Sequence, residues 1–132
     1  MEINLKYGYQ QIINDSFEEV ERRAQHVLSE VGFGVLTKVN VKETLKEKLD
    51  VNFNKYTILG VCNPSLALEA LSSDKGVGLF MPCNVVIWEN DDGTTAITAF
   101  DATIMSKSFK NNEISALAHK VNEIIRSALN KI

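Results

Sequence analysis

The chain predicts an α+β fold: a mostly antiparallel sheet of five strands covered by helices, in one domain over residues 1–132. Three observations carry this. Five segments are rich in β-branched and aromatic residues or alternate with period two. Two long segments place apolar residues at helical spacing. The two kinds do not repeat as a regular strand–helix series, and a hairpin signal joins the last two strands, so the sheet reads as antiparallel rather than doubly wound. At 132 residues and 45% hydrophobic content the chain can build a core without staples.

Ile3, Leu5, Tyr7 and Tyr9 alternate with Asn4, Lys6, Gly8 and Gln10, which predicts one strand with one buried face. Ser16-Phe17-Glu18-Glu19 is a capping box, and Phe17, Val20, Ala24, Val27, Leu28 and Val31 follow on one helical stripe that Gly32 ends. Phe33 to Val39 is the second strand. Asn40 caps a short helix carrying Val41, Leu45 and Leu49, and Phe53 to Cys62 is the third strand. Asn63-Pro64 pairs an N-cap with proline at the first helical position and opens another helix. Val77 to Trp88 is the fourth strand, with a bulge expected at Pro82. Asp92-Gly93 turns the chain into strand five, Thr94 to Phe100. A last helix starts near Asn111 or Asn112, and its broad apolar face runs from Ile114 to Leu129.

Several function classes fall away on composition. Net charge is −3 and no basic stripe is present, so nucleic acid is not an expected partner. The longest apolar stretch, Val77 to Trp88, contains Pro82 and Asn84 and is too short to span a bilayer. The first residues lack the basic and apolar regions of a signal peptide, so the expected location is cytoplasmic, where two cysteines stay reduced.

Those cysteines carry the most suggestive local chemistry. Each is bonded to an asparagine near a proline, in Cys62-Asn63-Pro64 and Pro82-Cys83-Asn84. A helix starting at Asn63 puts Cys62 at its positive end, which favours a thiolate. Pro82 removes a ladder donor just before Cys83. Asn84 inside a strand needs either hydrogen-bond partners or exposure to a pocket. Gly60, two residues before Cys62, leaves room over the sheet. The expected site is therefore a small pocket lined by Cys62, Asn63, Cys83 and Asn84. The alternative for both thiols is core packing. Zinc is not expected, because His26 and His119 fall off their helices' apolar stripes and lack paired ligand spacing. Gly32-Phe33-Gly34 leaves a helix for a strand, the wrong order for a phosphate loop. Lys38 and Asp101 fall near strand ends, where either could face a pocket.

Three ordered segments, Gly32-Phe33-Gly34-Val35-Leu36-Thr37, Ile58-Leu59-Gly60-Val61-Cys62-Asn63-Pro64 and Leu79-Phe80-Met81-Pro82-Cys83-Asn84-Val85, resemble the domain-of-unknown-function 302 family. The resemblance implies a fold of the TATA-binding-protein-like class and a homodimer, and it implies no agreed activity. The family often has Asp-Pro after the last strand, where this chain has Asp101-Ala102. Three functions follow as expectations: a small-ligand or soft-metal binding module, a thiol-dependent enzyme or redox carrier with Cys62 as nucleophile, or an oligomeric scaffold without pocket chemistry.

Overall fold

The computed structural model describes all residues, Met1–Ile132. Its elements are β1 (Glu2–Asn4), β2 (Gly8–Ile13), α1 (Phe17–Glu30), β3 (Gly34–Asn40), α2 (Val41–Leu49), β4 (Tyr56–Cys62), α3 (Pro64–Ser73), a 3₁₀ turn (Lys75–Phe80), β5 (Cys83–Glu89), β6 (Thr95–Phe100), α4 (Ala102–Phe109) and α5 (Asn112–Leu129). The strands form one sheet in the order β1-β2-β6-β5-β4-β3. Every neighbouring pair is antiparallel. The α+β class stands, with six strands in place of five.

The extra strand comes from splitting the first one. Leu5 N–H donates to Gly8 carbonyl at 2.8 Å, and this tight turn folds β1 back onto β2. Gly8 is required there, since a Cβ would lie 2.4 Å from the Ala99 carbonyl oxygen. The expected strand from Val77 is also shorter. Asp74 accepts from Gly76 N–H at 2.8 Å and winds Lys75–Phe80 into the 3₁₀ turn, so β5 begins only at Cys83. Pro82 follows a cis peptide bond ahead of the strand rather than bulging it. The register shift lies instead in β3, between Val35 and Thr37.

Helix starts follow the capping signals. Ser16, Asn40, Asn63 and Asn111 each accept from backbone N–H groups of the next turn. Helix α4, absent from the sequence reading, is capped by Asp101, which accepts from Thr103 N–H at 2.9 Å. Ala102 thus opens a helix where the family's Asp-Pro pattern implied a rigid turn.

Alternation along the strands gives the sheet two unlike faces. Tyr9, Leu59, Val61, Val85, Ile87, Ile97 and Ala99 share one core with Val20, Ala24, Leu28, Ile125 and Leu129 of α1 and α5. The residues between them, Ile12, Ile58, Val86 and Trp88, point the other way and lie outside that core. Helices α3, α4 and α5 extend the covered side past the end of β4, β5 and β6, and the candidate site forms there.

Candidate functional site

The site begins with how β4 becomes α3. Asn63 stops the strand and accepts from Leu66 N–H at 3.2 Å, while Pro64 takes the first helical position. Its amide also packs against Gly32, where a Cβ would lie 2.9 Å from Asn63 Nδ2. Gly32 has φ +85°, which glycine adopts without strain. The glycine that ends α1 and the asparagine that begins α3 therefore fix one another.

Beyond this junction α3, the 3₁₀ turn, α4 and α5 enclose a cavity of ≈ 60 Å³. Of its 19 lining residues 17 are hydrophobic, among them Phe33, Val61, Leu66, Met81, Phe100, Met105, Leu117 and Val121. Asn63 is its one polar side chain. Cys62 and Cys83 both line it. Neither is in a disulfide, and both are partly buried. Burial, and then the neighbouring Cys62, push the Cys83 thiol up to about 11, so it stays protonated at neutral pH.

The structure thus brings three of the four expected residues together. Asn84 is the correction. Cys83 pairs opposite Val61 and takes the covered side, so strand alternation turns Asn84 out, opposite Gly60, where it is exposed. The space expected above Gly60 is also filled. A Cβ there would lie 2.2 Å from Thr37 Oγ1 and 2.6 Å from Pro82 Cγ. Gly60 is small because the Pro82 ring lies over it. Nothing in the sequence marks the lining from α4 and α5. Apolar residues at helical spacing, such as Leu117 and Val121, look the same whether they face core or cavity.

A second, polar cavity of ≈ 100 Å³ lies on the other side of Phe100, lined by Asn4, Tyr9, Asp101, Asn122 and Arg126 among others. Asp101 accepts from Thr103 Oγ1 at 2.6 Å and Asn122 Nδ2 at 2.5 Å. Asn122 Oδ1 in turn accepts from Ala102 N–H at 2.8 Å. Burial pushes the Asp101 carboxyl up, but hydrogen bonds from Thr103 and Asn122 outweigh it and hold it below its usual value. Arg126 lies 4.6 Å over the Tyr9 ring and donates to Glu2 at 3.0 Å. These groups satisfy one another, so Asp101 has a structural task at the start of α4.

The remaining candidates lie elsewhere. Lys38 pairs with Glu21 of α1 at 2.5 Å, away from both cavities. His26 is exposed beside Glu30, and His119 is exposed. No group of three or more His, Cys, Asp and Glu side chains is placed to hold a metal ion. No helix is long and apolar enough to cross a membrane.

Comparison with known proteins gives a consistent picture. A family described as domain of unknown function DUF302 matches residues 9–132. No curated protein matches the sequence. A crystal structure of an uncharacterized conserved DUF302 protein from Bacillus stearothermophilus is similar at TM-score 0.88 and 28% identity, over 96% of this chain and 98% of that one.

Proposed function

The chain belongs to the DUF302 family, and from the cavity it encloses we propose that it binds a small, uncharged, mainly apolar ligand beside Cys62 and Cys83. The observation that carries this reading is the lining itself: 17 hydrophobic residues of 19, with Asn63 as the one polar side chain. Such a space stays dry and takes apolar guests. Its ≈ 60 Å³ limits the occupant to a few heavy atoms unless α4 moves.

The same lining weighs against the other readings. A nucleophilic thiol needs a base within reach, and the lining supplies no His, Asp, Glu or Lys. A soft metal would want more ligands than two thiols, and no group of three or more His, Cys, Asp and Glu side chains is placed to hold one. The thiols serve better as soft, polarisable walls, with Cys83 as a weak donor.

Xenon is the direct probe. Saturating the protein with it should raise the melting temperature and slow modification of the cavity thiols by N-ethylmaleimide in the folded state. Native mass spectrometry of freshly purified protein should also reveal any retained ligand. If xenon shifts nothing, and neither cysteine reacts until the chain unfolds, the thiols are core packing and the binding reading is dropped.

A further inference from the structure

The polar cavity beside Phe100 holds charged atoms that the fold itself does not use. Asp101 meets its structural task with one oxygen. Oδ1 accepts from Thr103 N–H at 2.9 Å, Thr103 Oγ1 at 2.6 Å and Asn122 Nδ2 at 2.5 Å. Oδ2 has no partner in the chain and keeps its full capacity to accept. Arg126 is used in the same one-sided way. Its Nη2 donates to Glu2 at 3.0 Å and to Asn4 at 2.5 Å, while Nε and Nη1 donate to nothing. The two opposite charges line one cavity without pairing with each other, because the ion pair of Arg126 is with Glu2.

We propose that this cavity binds a small zwitterion, an α-amino acid with little or no side chain, with its ammonium on Asp101 and its carboxylate on Arg126. Charge selects that class. Glu2 stands behind Arg126, and Lys107 lends Asp101 a positive field. These two cations and two anions cancel, so the ligand that fits is neutral overall and carries both signs. A plain carboxylate or a plain amine satisfies one open edge and leaves the other empty.

Size and spacing agree. The volume of ≈ 100 Å³ is several times the ~10–15 Å³ that a single water needs, and too little for a bulky side chain. Asn122, which holds Asp101, and Arg126 are one turn apart on α5, ~6 Å along its axis. A molecule with both charges on one carbon bridges a gap of that order through two charge-assisted hydrogen bonds of ~2.8 Å.

Both walls are set before anything binds. Asn122 is held at each end of its amide, since its Oδ1 accepts from Ala102 N–H at 2.8 Å. The Arg126 guanidinium lies 4.6 Å over the ring of the buried Tyr9. Groups fixed in this way lose little freedom on binding, so a small ligand keeps most of what its contacts contribute. This cavity and the apolar one share only Phe100, and the proposal does not depend on an apolar ligand.

Glycine is the probe, titrated into the ¹⁵N-labelled protein. It should shift the Asn122 side-chain amide and the Asp101 backbone amide, with a dissociation constant of about 1 mM or tighter. Sodium acetate and methylammonium chloride each carry one half of its charge, and each should bind at least about 10-fold more weakly, since one charged hydrogen bond is lost. Asp101→Asn keeps the Oδ1 acceptor that caps α4, and Arg126→Gln keeps a polar side chain on α5. Each should weaken glycine at least about 10-fold for the same reason. The comparison of the three probes on the wild type needs no variant and decides the matter if either one does not fold. Unmoved resonances at about 10 mM glycine, tenfold above the expected constant, show a cavity that holds water alone and overturn the proposal. Acetate or methylammonium binding as tightly as glycine overturns it too, as does glycine affinity unchanged in both folded variants.

Discussion

On the covered side of the sheet, Leu59, Val85, Ile87 and Ile97 meet α1 and α5 and lose all contact with solvent. One residue away along the same strands, Ile58, Val86 and Trp88 lie outside that core and remain half-buried. The strands, the register and even the residue types are nearly the same on both sides. What differs is the partner, and the charges follow it. Each strand charge sits where a helix or a neighbouring loop can answer it, as Glu2 answers Arg126 and Glu89 accepts from Lys55 N–H at 3.0 Å. The lesson is that an apolar strand face reports burial without saying by what. On the covered side the answer is α1 and α5.

The hardest test of that contrast is truncation on each side. Leu59→Ala should cost about 2–5 kcal/mol, because the core around it cannot collapse into the space. Val86→Ala should cost less than about 1 kcal/mol, because its neighbours are already partly wet. Urea denaturation compares the two. Equal losses would mean that the outer face is packed as tightly as the core.

Two glycines sharpen the comparison next. Gly60→Ala should cost about 2–3 kcal/mol, since the new methyl meets the Pro82 ring and Thr37 on the outer face. Gly34→Ala, with nothing within 4 Å of its Cβ position, should be close to neutral. Were both neutral in chemical denaturation, the Pro82 ring would not be held over Gly60.

Much of this was legible in the sequence. Ser16, Asn40 and Asn63 announce helices because a cap acts on its own next turn, a local event that local residues reveal. The helix stripes of α1 and α5 read correctly for the same reason. The failures are non-local. Gly76 and Gly78 break an apolar run that composition alone reads as strand, and nothing nearby shows that Asp74 will wind it. Asn84 reads as a pocket residue because an asparagine inside a strand needs partners or a polar space, but alternation meets that need by turning it to solvent. The cavity needed α4 and α5, which only the tertiary fold brings to Cys62 and Cys83.

The covered side also has a pH signature of its own. Cys83 keeps its proton in the folded chain up to about pH 11, whereas an unfolded cysteine releases it near 9. A raised folded-state value gives stability that is complete below pH 9 and lost as pH climbs from there to about 11. The loss is roughly 2 kcal/mol for a shift of this size. Unfolding free energy measured between pH 8 and 11 should therefore fall more steeply in the wild type than in Cys83→Ala, whatever the variant's own cost. Parallel slopes would show that Cys83 is not shielded.

The smallest effect separates the two asparagines. Asn63 begins α3 on the covered side, accepting from Leu66 N–H and resting on Gly32. Asn63→Ala leaves that donor without its partner in a half-buried place and should cost about 1 kcal/mol. Asn63→Ser keeps an acceptor and should recover most of the loss. Asn84 makes no side-chain contact of this kind and lies exposed opposite Gly60, so Asn84→Ala should change stability by less than about 0.5 kcal/mol. Chemical denaturation of the three variants reads the difference. If Asn84→Ala destabilised the single chain as much as Asn63→Ala, the two faces would not divide the Cys-Asn pairs between them as strand alternation requires.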